Sequence, residues 1–184
     1  MSDTPATSRR LATILFADVV GYSRLMRADE ERTLRDLSAH LAELVAPVVA
    51  RFGGRIVKTV GDGVLVEFGS AVELQAGMAV RNRDVEADRR LTFRIGLHLG
   101  DVIVAGDDVF GDAVNVAARL EGLAEPGAIV LSAGVHEQVR DKLSLPFRAL
   151  GARTVKNIDR PVEIWALDPG AGFDMPAPPR PPAA

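Results

Sequence analysis

Apolar positions along the chain follow two rhythms, and the order in which they alternate predicts the fold. Leu11 to Ala17 is almost wholly apolar and rich in β-formers, a run of the length expected for a strand buried on both faces; it stops at Asp18. From Asp29 onward Leu34, Leu37, Leu41, Leu44, Val45, Val48 and Phe52 recur at helical spacing with Arg and Glu between them. That spacing predicts an amphipathic helix, kinked at Pro47 and ended by Gly53 and Gly54. Arg55 to Val60 and Val64 to Phe68 read as two strands joined by the turn Gly61-Asp62-Gly63. A second amphipathic helix is expected from about Ala71 to Asp88. Thr92 to Val104 then alternates as one long strand, with Phe93, Ile95, Leu97 and Leu99 on a single face.

Beyond that strand, Asp112 to Ala124 predicts another helix and Pro126-Gly127 a turn, while Ile129 to Leu131, Phe147 to Leu150 and Val162 to Leu167 predict short strands. The expected fold class is α+β. A ferredoxin-like βαββαβ core, with an antiparallel sheet and helices on one face, is extended by additional C-terminal strands and a helix. The face left open is apolar at Ile14, Phe16 and Ile56, so something is expected to cover it. Residues 1–10 read as a polar N-terminal arm and 11–167 as one domain. Residues 168–184, rich in Pro and Ala, read as a flexible tail or linker. There is no internal repeat.

Composition narrows the chemistry. A chain of 184 residues suits one domain, and 47% hydrophobic with 26% charged residues describes a folded, soluble protein rather than a disordered one. A net charge of -3 supplies no basic field, so no nucleic-acid partner is expected. With no cysteine, disulfides, thiolate nucleophiles and Cys-ligated zinc are excluded; His40, His98 and His136 lack metal-site spacing. No signal-type or membrane-length apolar run occurs, which gives the expectation of a cytoplasmic protein with no membrane partner.

Candidate chemistry gathers at a few positions. Asp18 ends a strand and precedes Val19-Val20-Gly21-Tyr22-Ser23, whose glycine lets backbone N–H groups approach an anion. Alone, Asp18 or Asp62 reads first as a turn or cap residue. Together, the first strand and the hairpin turn can bring both carboxylates to one end of the sheet, where like charges need a cation. Magnesium takes hard oxygen ligands from one or two carboxylates and from substrate phosphates. Gly106 and Gly111 have P-loop spacing, but Asp112 stands in the lysine position, and Gly61-Asp62-Gly63 does not open a helix. Asn115 and Arg119 share one helix face, either solvated or aimed at a polar ligand. Arg94 faces away from Phe93 and Ile95, beside Gly96, His98 and Gly100. There the missing side chains suggest room for a phosphate, although a plain surface arginine reads equally well. His98 reads as a packing residue.

With these segments in place, the chain resembles the catalytic domain of class III adenylate and guanylate cyclases from Leu11 to Leu167, most closely the bacterial adenylate cyclases. Phe16-Ala-Asp-Val-Val-Gly-Tyr-Ser23 is similar to the first metal motif and Lys58-Thr-Val-Gly-Asp-Gly63 to the second. Asp108-Val-Phe-Gly-Asp-Ala-Val-Asn-Val-Ala-Ala-Arg119 is similar to the transition-state segment. The resemblance implies that Asp18 and Asp62 hold two Mg2+ or Mn2+ ions per site, with the backbone of Val19, Val20 and Gly21 around the triphosphate. It implies that Lys58 and Asp108 read adenine, that Asn115 orients the ribose and Arg119 stabilises the phosphate under attack, and that Arg94 and Lys156 bind the triphosphate. Relatives often carry glycine where this chain has Asn157. ATP as substrate and a homodimer with two sites at the subunit interface follow from the same likeness, with a regulatory domain or partner left outside the chain. The alternatives are a catalytically silent nucleotide-binding or dimerisation module of the same fold, and a guanylate cyclase.

Overall fold

The computed structural model of the chain describes residues 6–67, 85 and 89–168. Its frame is an eight-stranded sheet in the order β2-β3-β1-β4-β6-β8-β7, with β5 pairing to β4. The strands are β1 (Thr7–Val19), β2 (Arg55–Val60), β3 (Gly63–Glu67), β4 (Phe93–Ala105), β5 (Asp108–Phe110), β6 (Ile129–Ser132), β7 (Arg148–Arg153) and β8 (Val162–Leu167). The first half, β2-β3-β1-β4, is antiparallel throughout and is the βαββαβ arrangement expected. β4 and β6 pair in parallel, which ties the C-terminal strands to that core. The second expected helix, from Ala71 to Asp88, lies outside the described residues apart from residue 85, and so does the tail beyond Asp168.

β1 is longer than its apolar run. It enters the sheet at Thr7, inside the segment read as an arm, and pairs with β4 from Thr7↔Ala105 to Val19↔Phe93. Burial on both faces holds for Ile14 to Ala17 in the main, whereas Leu11 is 63% exposed. The helical connection to β2 begins with a short helix not foreseen from the pattern, α1 (Tyr22–Ala28), and continues as α2 (Glu30–His40). Asp29 caps α2 by accepting from the Arg32 N–H at 3.0 Å, and Glu30 and Glu31 favour the positive end of its dipole. A π-helical turn, Leu41–Val45, leads into α3 (Ala46–Arg51) with Pro47 in its first turn. Proline has no N–H to give the helix, and the wider turn, closed by the Ala46 N–H on the Leu41 carbonyl, places the irregularity expected at Pro47 one turn earlier.

One core lies between this helical layer and the sheet, built from Leu15, Ala17, Val45, Val49, Val64, Val66, Ile95 and Leu97; α5 (Ala133–Val139) adds Val135. On the opposite face lies α4 (Asp112–Leu123), which buries Ala113, Val116, Ala117 and Leu120 against Ile14, Leu65, Val102, Val130 and Ile164. Full burial of each valine, leucine or isoleucine among these contributes about 1.5–3 kcal/mol. The cover expected over this face is supplied at Ile14 and Phe16 by α4 of the same chain, and the placing of Ile56 on that face is corrected. Ile14 is fully buried under α4, and Ile56 packs on the α2–α3 side instead. Among the described residues no helix is long and apolar enough to cross a membrane.

Gly96 sets how closely α4 approaches. A Cβ at that position would collide with the Ala117 carbonyl oxygen and the Glu121 N–H, and would stand 3.0 Å from the Glu121 Cα. The room expected above Gly96 is thus filled by helix backbone, and above Gly100 by the Ala113 methyl. Missing side chains here serve close packing rather than a phosphate.

Candidate active site

Asp18 comes to its position as the penultimate residue of β1, directly across from Arg94 on β4; Asp62 arrives from the tip of the β2–β3 hairpin. That turn needs the left-handed backbone of Gly61, whose φ is 61°. The Val19 N–H donates to Asp18 Oδ1 at 2.7 Å and to Asp62 Oδ2 at 3.2 Å. With the two carboxyl groups this close, burial, the hydrogen bond from one carboxyl to the other and their mutual repulsion raise the Asp18 pKa to about 7. Repulsion from Glu121 adds to the shift.

Arg94 stands beside them with its Nε buried and without an acceptor among the described residues, an unused donor that an anion could take. Glu121, which sequence reasoning did not single out, completes the cluster. It is buried on α4; burial and Asp62 raise its pKa while Arg94 lowers it. In sequence it is an ordinary helical glutamate, and only the tight seating on Gly96 draws it inward.

Backbone following Asp18 is partly committed already. Val19 N–H serves the aspartates and Val20 N–H donates to the Thr92 carbonyl at 2.8 Å. Gly21 is the N-cap of α1 with φ 67°, and its carbonyl accepts from the Arg24 and Leu25 N–H groups.

A second group forms along β2 and β5. Lys58 Nζ donates to both oxygens of Asp108, at 2.9 and 3.0 Å, and lies 5.4 Å from the Phe110 ring centroid. Lys58 first, then the Val109 N–H, holds the Asp108 carboxyl below its ordinary range. A β-bulge between Ile56 and Lys58 makes this pairing geometrically available. In a regular strand Lys58 would share the face of Ile56; the extra residue turns it to the face of Leu65 and the β4–β5 hairpin.

Asn115 and Arg119 project from the outer, exposed side of α4, and neither side chain has a partner among the described residues. Lys156 is exposed in a turn closed by the Ile158 N–H on the Val155 carbonyl at 3.0 Å. Asn157 there has φ 66°, the only positive φ at a non-glycine among the described residues. Asparagine tolerates that conformation, so the departure from glycine leaves the turn intact. His98 donates or accepts at Ser132 Oγ over 2.9 Å, and burial lowers its pKa, as suits the packing role expected of it. The structure therefore joins Asp18, Asp62 and Arg94 in one cluster and Lys58 with Asp108 in another. Among the described residues no hydrogen bond or ion pair connects the two.

Two facing carboxylates beside an arginine with an unused buried donor fit a hard divalent cation accompanied by phosphate oxygens. A family model described as the adenylate and guanylate cyclase catalytic domain matches residues 5–168. The chain belongs to the class III adenylate/guanylate cyclase family.

This cyclase domain is 51% identical over 168 residues to a protein of Rhizobium meliloti (strain 1021) named putative adenylate cyclase 3; the match covers 88% of the chain and 29% of that protein. It is 36% identical over 140 residues to a protein of Streptomyces coelicolor (strain ATCC BAA-471 / A3(2) / M145) named adenylate cyclase, covering 74% of the chain and 36% of that protein. The domain thus spans well under half the length of these relatives. Among solved structures it superposes on an adenylate/guanylate cyclase/hydrolase from Silicibacter pomeroyi with a TM-score of 0.83 at 45% identity, covering 89% of the chain and 99% of that structure. The adenylyl cyclase CyaB from P. aeruginosa gives a TM-score of 0.76 at 25% identity, covering 94% and 98%.

Proposed function

We propose that this cyclase domain converts ATP to 3′,5′-cyclic AMP and pyrophosphate in a homodimer with two sites at the subunit interface. The observation that carries the choice of base is the Lys58–Asp108 pair. Released onto a base, an ammonium donates to a ring nitrogen and a carboxylate accepts from an exocyclic amine. That pattern matches the edge of adenine and opposes that of guanine. The proposal draws further support from the relatives named adenylate cyclase.

Asp18 and Asp62 would hold two Mg2+ or Mn2+ ions, which supply charge neutralisation at the phosphates and a lowered pKa at the ribose 3′-hydroxyl. Arg94 Nε offers its unused donor to the triphosphate, and Lys156 adds a second cation from its turn. Asn115 orients the ribose so that the 3′-oxygen lines up with the α-phosphorus. As the new P–O bond forms and the bond to the pyrophosphate oxygen breaks, the Arg119 guanidinium bears on the charge at the α-phosphate. No side chain is required as a nucleophile.

The test is cyclic nucleotide formation by purified protein with ATP or GTP and Mg2+ or Mn2+. The expected result is cyclic AMP, with kcat/KM for ATP roughly tenfold or more above that for GTP. Lys58→Glu combined with Asp108→Cys is expected to move the preference toward GTP. A wild-type dimer that binds ATP and forms no cyclic AMP would replace this reading with the silent module.

A further inference from the structure

The base-reading carboxylate stands on weak ground. Asp108 opens a strand of three residues, reached from β4 through the two-residue turn Gly106-Asp107, and strands that short hold position poorly on pairing alone. β4 supports it on one side. On the other side a chain of ionic contacts reaches the turn from the far end of the sheet. Arg55 Nη1 donates to the Asp107 carbonyl at 2.8 Å while its Nε donates to Glu67 Oε2 at 2.9 Å. Glu67 is buried, with a side chain 8% exposed, and is also ion-paired with Arg10 of β1. The guanidinium is planar, so fixing one edge on an immobile carboxylate fixes where the other donor points.

The bulge in β2 is what lets one strand do both tasks. Arg55 pairs with Glu67 and Lys58 with Leu65, so both side chains face the β4–β5 hairpin although they are three residues apart. One residue later than its neighbour Asp107, Asp108 receives Lys58. We infer that Arg55, anchored by the buried Glu67, is a positioning residue for base selection: by holding the Asp107 carbonyl it sets where the Asp108 carboxylate meets the base. The inference rests on the proposed base-reading role of Lys58 and Asp108.

The experiment compares Arg55→Gln, Glu67→Gln and Asp108→Ala with wild type, reading kcat/KM for ATP and for GTP together with amide hydrogen exchange over residues 105–110. In Arg55→Gln the ATP:GTP ratio falls roughly three- to tenfold, mainly through a higher KM for ATP, and exchange in the turn quickens while that of β3 stays as in wild type. Glu67→Gln, which keeps the size of the buried side chain, shifts the ratio in the same direction by less. If Arg55→Gln lowers activity on both nucleotides equally, or leaves exchange in the turn unchanged, Arg55 is only a structural ion pair and the inference falls. If Asp108→Ala itself leaves the ATP:GTP ratio unchanged, the base-reading assignment fails and takes this inference with it. Collapse of the ratio in Asp108→Ala beside a wild-type ratio in Arg55→Gln removes the role of Arg55 alone.

Discussion

Asp18 carries the energetic tension of the site in one carboxyl group. Its folded pKa of about 7 lies above the ordinary carboxylate value, so the folded state takes up a proton that the unfolded state has lost. Metal-free stability from this residue is therefore greatest near pH 4 and declines as pH rises through about 7. Asp18→Asn removes the charge while keeping the shape. Scanned without divalent ions at pH 8, the variant is expected to melt about 2–4 °C above wild type, a figure reduced to allow for partial solvent exposure. The difference should close toward pH 4 and also when Mg2+ is added to wild type; an offset that is the same at both pH values would refute the shared-proton picture. The approach of Asp18 to Asp62 was legible in the sequence from the strand and the hairpin that carry them, whereas the roles proposed for the other motif residues came from the family resemblance. Glu121 and Arg55 were not legible, since a helical glutamate and a strand arginine look solvated until the packing partner is known. The family resemblance implied a base-reading role for Lys58, yet the direction of its side chain depends on a bulge that leaves no mark in the run Ile56, Val57, Lys58.

At the level of elements, length decided what could be read. β4 and α4 follow their hydrophobic periods closely, because each spans enough alternations or turns to show one. α1 and α5 have seven residues each and β5 three, too few to display a period, and each forms because longer neighbours place it. The most consequential contact was also hidden, for glycines in a strand suggest empty space and here mark the approach of α4. Gly96→Ala tests that reading. The new Cβ meets two backbone groups that have no rotamer to yield, so α4 must lift, and it carries Asn115 and Arg119 with it. Destabilisation of about 3 kcal/mol in urea unfolding is expected, together with loss of most activity at temperatures where the variant remains folded. A change within about 0.5 kcal/mol would mean the sheet and helix slide apart freely and that Gly96 does not set the spacing.

Among the described residues no hydrogen bond or ion pair joins the two clusters into one site. Asp18, Asp62 and Arg94 gather where the ends of β1 and β4 meet the β2–β3 turn, Lys58 and Asp108 pair along β2 and β5, and Asn115 and Arg119 point outward from α4 with no partner among the described residues. Large apolar side chains are exposed beside the second cluster, Val60 at 56% and Phe110 at 49%, which suits a surface that another copy covers. If each site draws its metal carboxylates from one subunit and its base and ribose groups from the other, two dead variants should repair each other. Asp18→Ala and Asn115→Ala proteins, each inactive alone, are mixed and allowed to exchange subunits. Half of a random population is then heterodimer, and each heterodimer holds one intact site beside one doubly damaged site. Activity is therefore expected to recover to roughly a quarter of wild type, less where exchange is incomplete. Mass measurement on the mixture establishes that heterodimers are present. Heterodimers without activity, beside an active wild type, would place both sets of groups in the same subunit and require the chain to rearrange when nucleotide binds.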